Sequence, residues 1–368
     1  MGTSNRLMSL DVLRGITISV MILVNTPGSW SFIYAPLRHA AWHGCTPTDL
    51  VFPFFLFIVG LSLYFSFKKY NAVASKAVTY KILKRTLIIF SIGLLLNLYP
   101  YFNFESVRIM GVLQRIALAY GVGALLCVNF KKEKLLFILA LLLLGYWALL
   151  YFGASANPYS LEGNIVRQFD LFLFGEQHIY KGFGIPFDPE GVLSSIPAVG
   201  TVIIGYLIGD VMNSTASIIL KMKKLLMYGA LMTVIGAVWG FVFPINKPLW
   251  TSSYVLYTAG LATLVLAALI FIIDYKKYSF WSKPFVHFGS NPLFIFVFSG
   301  LYAKTISYLI KIPVSDTESV SLYKYLYAHI FSPVFGNLNG SLVFAVSHII
   351  VFWLICYILY RNKIFIKI

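Results

Sequence analysis

The chain has 368 residues, of which 59% are hydrophobic and only 11% are charged. Soluble globular domains carry about 25% charged residues, so the composition excludes a soluble globule. Three cysteines are too few for a disulfide framework, which excludes a small secreted scaffold. Because apolar stretches recur along the whole chain, we predict a single membrane domain over 1–368, folded as an all-α bundle.

The net charge of +16 comes from 29 Lys and Arg residues against 13 Asp and Glu residues. On a soluble protein this excess would suggest a nucleic-acid partner. Here the basic residues form short clusters between apolar segments, which is how topology is encoded in membrane proteins. We therefore predict membrane lipid and no nucleic acid as a partner.

A helix needs about 20 mostly apolar residues to cross the hydrocarbon core of a membrane. Ten segments of the chain meet this condition. In chain order they are 10–28, 47–67, 83–100, 109–129, 135–152, 190–210, 225–244, 252–273, 285–306 and 340–360.

If the ten segments cross the membrane in turn, the loops between them lie alternately on its two sides. Most of the basic residues then lie on one side. Positive charges concentrate on the cytoplasmic side of membrane proteins, so we predict that this face and both termini are cytoplasmic. Its segments are 1–9, which holds Arg6, then 68–82, 130–134, 211–224, 274–284, and 361–368, which holds Lys367.

Three of the loops on the predicted outer side stand out. Residues 29–46 are dense in His, Trp and Cys side chains, whereas 153–189 and 307–339 are long and lack a helical pattern. Long loops of this kind are usually functional or disordered. We expect the two long loops to cover an outward-facing site.

Ionisable groups within membrane segments are expensive, so each is a functional hypothesis. Arg14 lies three residues after Asp11, and the two can form a structural ion pair on one helical face. Asn25 lies near the outer end of the same segment, where interhelical hydrogen bonding is the plainer explanation. Asp49 opens the second segment, where a carboxylate often caps the helix.

Further polar residues lie in the fourth segment and beyond. Arg115, next to Gln114, holds its proton and therefore needs a partner or a ligand anion. Asp188 and Glu190 precede the sixth segment and are the candidate partners, and Asn291 precedes an apolar run.

His39 is the strongest candidate for a proton acceptor, because an unperturbed imidazole titrates near neutral pH. It lies in the loop between the segments that carry Asn25 and Asp49. His43 and Cys45 lie nearby and resemble metal ligands in type. No zinc-type His or Cys spacing accompanies them, so we predict no metal.

Several motifs resemble one family in sequence and in order. They are LDVLRG at 10–15, VN at 24–25, RHAAWHG at 38–44, DLVFPFF at 49–55, GVLQRI at 111–116, FDPEG at 187–191, NKPLWT at 246–251, SYVL at 253–256 and GSNP at 289–292. The pattern is similar to the catalytic region of the heparan-alpha-glucosaminide N-acetyltransferase family. The short LDxLRG element alone is weak, since other membrane acyltransferases resemble it.

The resemblance implies transfer of an acetyl group from cytosolic acetyl-CoA to the amine of a glucosamine across the membrane. By residue, it implies that His39 is the active-site histidine, with Asn25 and Asp49 beside it. Both an acetyl-histidine intermediate and direct transfer stay open. We expect acetyl-CoA to contact Arg14, Gln114 and Arg115, and the acceptor to contact Trp42, Asp188, Glu190 and Asn291.

The chemistry of acetyl transfer fits these residue types. His39 suits the role of base or nucleophile, Asn25 can donate to a developing oxyanion, and Asp49 can fix the imidazole tautomer. The basic inner face suits the phosphates of coenzyme A. We expect a bacterial inner-membrane enzyme whose acceptor is an amino sugar or glycan on the outer side.

Two other classes of protein stay open. A transporter or flippase for a sugar or lipid-linked sugar would also have many helices and midplane polar residues, but it typically shows an inverted repeat, and we see none. A membrane scaffold would not need His39 beside Asn25 and Asp49. A homodimer is also left open.

Overall fold

The computed structural model of the chain describes residues 8–69, 74–154, 157–315 and 317–366. Arg6 and Lys367 of the predicted inner face lie outside these residues, as does the side chain of Lys69. The described residues are mainly helical, and the helices are long. The helices are α1 (Met8–Asn25), α2 (Val51–Lys69), α3 (Lys76–Leu98), α4 (Val112–Asn129), α5 (Lys132–Gly153), α6 (Ile165–Phe174), α7 (Ser195–Asn213), α8 (Ile218–Trp239), α9 (Ser252–Leu269), α10 (Lys283–Ser290), α11 (Pro292–Lys304), α12 (Leu322–Leu326), α13 (Ser332–Phe335) and α14 (Asn337–Arg361).

Wider helical turns extend three of these helices, over Ile270–Tyr275 after α9, Thr305–Leu309 after α11 and Tyr327–Phe331 after α12. The strands β1 (Lys311–Pro313) and β2 (Ser319–Ser321) pair antiparallel, with Ile312 opposite Val320.

Eight of the described helices are long and apolar enough to cross a membrane. They are α1, α2 with the turn before it, α4, α5, α7, α9 and α11 each with the wider turn after it, and α14. The predicted segments 83–100 and 225–244 correspond to α3 and α8, which are as long but begin with clusters of lysine. The prediction of an all-α protein that passes the membrane several times is therefore confirmed.

Close approach between α2 and α7 depends on two glycines. A Cβ atom at Gly60 would lie 2.0 Å from the carbonyl oxygen of Val202, and one at Gly205 would lie 2.1 Å from that of Phe57. Small residues let helix backbones approach in membranes, where van der Waals packing replaces the hydrophobic effect between helices. These glycines therefore bring α2 against α7.

Large apolar side chains cover the outside of the bundle. Phe137 on α5, Leu231 on α8 and Ile350 on α14 are each more than half exposed. Such a surface would be an aggregation hazard in water but matches the hydrocarbon core of a membrane.

The ends of the helices are tied together by polar contacts. At one end, Asp210 of α7 accepts hydrogen bonds from Tyr64 of α2 at 3.1 Å and Lys132 of α5 at 3.3 Å. At the other end, the loop before α4 binds the loop before α7 through Arg108 and Asp188, at 2.7 Å. The start of α5 therefore lies at the end of the bundle where α2 and α7 end, and α4 and α7 start at the other end.

The two long loops contain regular structure that the hydropathy pattern did not predict. The 153–189 loop contains α6, and the 307–339 loop contains the hairpin and α12 to α13. The hydroxyl of Tyr323 donates to the carbonyl of Pro27, just after α1. The second loop is thereby fixed over the end of α1 that carries Asn25.

Candidate active site

The segment between α1 and α2 positions the candidate residues through two short turns of 3-10 helix, Ala35–Leu37 and Pro47–Leu50. Thr46 caps the second turn. The amide of Thr46 donates to Oδ2 of Asp49 at 3.1 Å, and the amide of Asp49 donates to the carbonyl of Thr46 at 3.0 Å. This reciprocal cap holds the Asp49 carboxylate in one orientation.

His39 and Asp49 form a close pair. Nδ1 of His39 lies 2.6 Å from Oδ1 of Asp49, and the amide of Ala40 donates to Oδ2 at 3.0 Å. The Asp49 side chain is 2% exposed and that of His39 is 49% exposed. An ionised carboxylate only accepts hydrogen bonds, so we assign the hydrogen to Nδ1, which leaves the lone pair on Nε2.

Lys247 also reaches this pair, and the sequence analysis did not single it out. Its Nζ lies 3.3 Å from Oδ1 of Asp49 and 3.1 Å from Nδ1 of His39. Burial lowers the pKa of Lys247, and the charges of Asp49 and Glu190 offset only part of that effect. Its position in the NKPLWT motif at 246–251 is the sequence signal that could have identified Lys247 as a site residue.

A cavity of about 170 Å³ opens beside the pair. Its polar lining comes from Asn25 at the end of α1, His39, Glu190 and Lys247, with Thr17 and Thr48. The apolar lining is Met21, Val24, Val51, Phe52, Phe55, Val112, Ile116 and Phe296. Asn25 and His39 thus line the same cavity, and Asp49 lies next to it through its contact with His39.

A second cavity of about 160 Å³ lies towards the other end of the bundle. It is lined by Arg14, Arg85, Ser62, Ser66 and Tyr120, together with apolar residues. Arg14 pairs with Asp11 at 2.6 Å, and the guanidinium of Arg85 lies 4.8 Å from the centre of the Tyr120 ring.

Phe55 and Ile116 line both cavities, so the two cavities meet at these side chains. Asn25 lines the first cavity and Arg14 the second, and they lie about 16 Å apart along α1. The pair of cavities therefore extends through much of the thickness of the bundle.

Asp188 and Glu190 bind a residue that the sequence analysis did not consider. Arg108 contacts Asp188 through two nitrogens, at 2.9 Å and 2.7 Å, and also contacts Glu190. Burial alone would lower the pKa of Arg108, but the two carboxylates outweigh it and raise that pKa. The expected ion pair with Arg115 is thus a pair with Arg108 instead.

Arg115 and Gln114 are buried away from both cavities. Nη2 of Arg115 donates to the hydroxyl of Ser194 and, at 3.4 Å, to the carbonyl of Gly191. The guanidinium lies 4.8 Å from the ring centre of Trp250. The structure therefore gives Arg115 a packing role and does not bring Gln114 or Arg115 to a cavity wall.

Trp42 and Asn291 are also separate from the first cavity. The indole of Trp42 donates to the carbonyl of Tyr159 at 2.7 Å and packs edge-on against Phe187. Asn291 is buried at the end of the bundle near Arg14, and its amide binds the backbone of Ile364 at 2.9 Å. The prediction that Asn291 contacts the same substrate as Trp42 is wrong, because its amide instead holds the C-terminal segment.

No group of three His, Cys, Asp or Glu side chains with metal-binding geometry occurs among the described residues. Burial raises the pKa of Cys45 to about 12, so this thiol is protonated at neutral pH. His43 lies within 3.3 Å of the Asn246 amide and outside the cavity lining.

The fold and the site define a polytopic helical membrane protein in which a histidine pairs with a buried carboxylate at a cavity. Residues 6–248 match the family described as heparan-alpha-glucosaminide N-acetyltransferase, catalytic, and the chain belongs to this family. It is therefore related to a family of N-acetyltransferases.

Two relatives carry the name heparan-alpha-glucosaminide N-acetyltransferase. The protein of Homo sapiens is 26% identical over 425 residues, which cover 99% of this chain and 60% of the human protein. The protein of Mus musculus is 28% identical over 357 residues, which cover 80% of this chain and 53% of the mouse protein. The chain thus spans between half and two thirds of the length of these relatives.

Proposed function

We propose that the protein transfers an acetyl group from acetyl-CoA to the amine of an amino sugar or glycan on the opposite side of the membrane. One observation carries the proposal. The His39–Asp49 pair lies at one end of two cavities that meet at Phe55 and Ile116, and two arginines line the far cavity. Membership of an N-acetyltransferase family supports the same chemistry.

His39 supplies the proton transfer. In direct transfer, the amine nitrogen attacks the thioester carbon, the carbon–sulfur bond breaks, and its electron pair goes to sulfur. Nε2 of His39 takes the proton from the amine and returns it to the thiolate, so the products are the amide and free coenzyme A. In the two-step route, Nε2 attacks the thioester carbon, and the carbon–sulfur bond breaks to release the thiolate of coenzyme A. The amine then attacks the acetyl carbon, the carbon–Nε2 bond breaks, and the proton lost by the amine balances the thiolate, so the products are again the amide and free coenzyme A. Both routes need the lone pair that Asp49 leaves on Nε2.

Asn25 stabilises the negative charge that develops on the acetyl carbonyl oxygen during transfer. Its amide lines the same cavity as His39, at the end of α1, where it is exposed to that cavity. A donor aimed at the developing oxyanion contributes roughly 3–4 kcal/mol in acyl-transfer sites. We assign Asn25 that donor role.

The second cavity suits the phosphate-bearing part of acetyl-CoA, the acetyl donor. Arg14 and Arg85 offer charge-assisted hydrogen bonds to phosphate, and Ser62 and Ser66 offer hydroxyls. The thin pantetheine arm would pass between Phe55 and Ile116 to bring the thioester to His39. We therefore propose that the end near Arg14 is cytoplasmic, where acetyl-CoA is made, and that the membrane is the bacterial cytoplasmic membrane.

The acceptor enters from the His39 end. Glu190 lines that cavity, and Arg108 holds its carboxylate from outside the cavity lining. A carboxylate at the mouth attracts an amine in its ammonium form before deprotonation. Asp188, which shares Arg108 with Glu190, and Trp42, which packs against Phe187, complete the acceptor side of the proposal.

The test uses proteoliposomes of known orientation with labelled acetyl-CoA on one side and glucosamine on the other. Labelled amide should form only when acetyl-CoA is on the side of the Arg14 end, and the variant His39→Ala should form none. His329→Ala is the matched control, because this histidine is exposed in the 307–339 loop and lines neither cavity. Transfer by the His39 variant, or transport of unmodified sugar without acetylation, would refute the proposal.

A further inference from the structure

Lys247 lies beside His39 and Asp49, but the proposed chemistry gives it no role. Its Nζ lies closer to Nδ1 of His39, at 3.1 Å, than to Oδ1 of Asp49, at 3.3 Å. The Lys247 side chain is 19% exposed and lines the same cavity as His39. An amine with so little solvent around it must interact strongly with the charges that it faces.

The backbone around Lys247 is held firmly. The amide of Asn246 donates to the Thr251 hydroxyl at 3.1 Å, and the Asn246 side chain donates to the carbonyl of Trp42 at 2.9 Å. Trp250 closes the turn with a φ of 51°, a region that bulky side chains rarely adopt. Such backbone strain is retained where surrounding structure enforces it, often at functional sites. The turn therefore presents Lys247 to the pair in one orientation.

The charged and titratable groups around His39 come from four segments. Asp49 contacts Nδ1, Lys247 lies beside it, and Glu190 lines the same cavity from the loop before α7. The Cys45 thiol is protonated, and the Tyr254 hydroxyl of α9 donates to the backbone carbonyl of Asp49 at 2.5 Å. Lys247 is therefore the cation that faces the imidazole within this set.

The short distance between Nζ of Lys247 and Nδ1 of His39 shows how Lys247 acts on the His39–Asp49 pair. If Nδ1 donates its hydrogen to Asp49, it has no lone pair for Lys247, and the contact at 3.1 Å joins two donors. The ammonium can donate to Oδ1 of Asp49, but it repels a positive charge on the ring. Lys247 thus supports the Asp49 carboxylate and disfavours the imidazolium at the same time.

We propose that Lys247 is a positioning residue that tunes proton transfer by His39, an inference that rests on the proposed function. Its charge, 3.1 Å from Nδ1, opposes a positive charge on the ring, so that Nε2 offers its lone pair to the proton of the attacking amine. Once Nε2 has taken that proton, the same charge drives the proton from the imidazolium to the sulfur of the leaving coenzyme A. The ammonium of Lys247 keeps its own three protons throughout, and no other reactant is needed.

The test compares the pH dependence of kcat/KM for acetyl-CoA in the wild-type protein, Lys247→Met and Lys247→Arg. The acid limb of such a profile reports protonation of the free enzyme's base. Without the opposing charge the imidazole gains its proton more readily. We expect the acid limb of Lys247→Met to move to higher pH by about 1 unit, the lower end of shifts that adjacent charges cause.

Lys247→Arg should restore the wild-type profile, and Lys311→Met, a lysine exposed in the outer hairpin, should not move it. Lys247→Gln replaces the Met variant if that variant does not fold. An active Met or Gln variant whose acid limb coincides with wild type overturns the role of Lys247, even if its rate is lower at every pH. A wild-type protein that transfers no label overturns the proposed function itself, which separates the two failures.

Discussion

Replacing Asp49 by Asn removes one charge from the candidate active site and changes little volume. Oδ2 of Asp49 accepts from the amides of Ala40 and Thr46 and from the Thr46 hydroxyl, all between 3.0 and 3.1 Å. Because three donors face Oδ2, the new amide nitrogen must take the place of Oδ1. There it becomes a donor that faces Nδ1 of His39, and the imidazole must shift its hydrogen to Nε2.

The expected loss of rate follows from this tautomer. With its hydrogen on Nε2, His39 has no lone pair for the amine proton or for the acetyl carbon. The corresponding change in a serine-protease triad lowers kcat about 10⁴-fold, or about 5 kcal/mol of barrier. We expect a loss of about 10³–10⁴-fold for Asp49→Asn. The lost charged hydrogen bonds should also lower stability by about 1–3 kcal/mol.

The assay is initial-rate acetylation of glucosamine in detergent, with melting temperature as the measure of folding. Asp210→Asn is the matched control, because Asp210 accepts hydrogen bonds from Tyr64 and Lys132 at the opposite end of the bundle. This control should keep the wild-type rate. An Asp49→Asn protein that folds and keeps more than about a tenth of wild-type kcat would refute the assignment of the Nε2 lone pair.

Three further predictions follow from single side chains. Asn25→Ala should lower kcat about 10²–10³-fold with little change in the KM for acetyl-CoA, as steady-state kinetics will show, and an unchanged kcat would remove its oxyanion role. Phe55→Trp should overpack the junction of the cavities by about 1–3 kcal/mol, so kcat/KM for acetyl-CoA should fall about 5- to 150-fold while the KM for glucosamine stays constant. Burial raises the pKa of Asp170 from 3.8 to about 7, so its stabilising contribution is complete below pH 4 and is lost as pH rises through 7. The melting temperature of the wild type should therefore fall between pH 4 and 7, by the equivalent of roughly 4 kcal/mol at most, and that of Asp170→Asn should fall much less.

The helices could be predicted from the sequence because the signal for a membrane helix is local. A run of about 20 apolar residues specifies the element wherever it packs. The predicted segments 83–100 and 225–244 show the limit of this signal. The lysines that open α3 and α8 belong to the same helices, which extend beyond the apolar run.

The candidate site could be predicted only in part, for the same physical reason. His39 and Asp49 lie ten residues apart, so a motif contains both. Lys247 lies 208 residues from His39, and Arg108 lies 80 residues from Asp188. Nothing in the local pattern of either basic residue reports such a contact. The opposite error occurs at Asn291. This polar residue next to an apolar run was predicted to contact the acceptor, but its amide holds the C-terminal segment.

The proposed transfer and the permeability barrier of the membrane depend on the same two side chains. Phe55 and Ile116 are the residues that both cavities share, and neither offers a polar group to a passing ion. An ion that passes between them would lose its hydration without compensation, which costs many kcal/mol. A thioester on a flexible, largely uncharged arm loses much less. A transporter must open to each side in turn, but an enzyme that joins two substrates at His39 can keep this apolar junction in place throughout the reaction.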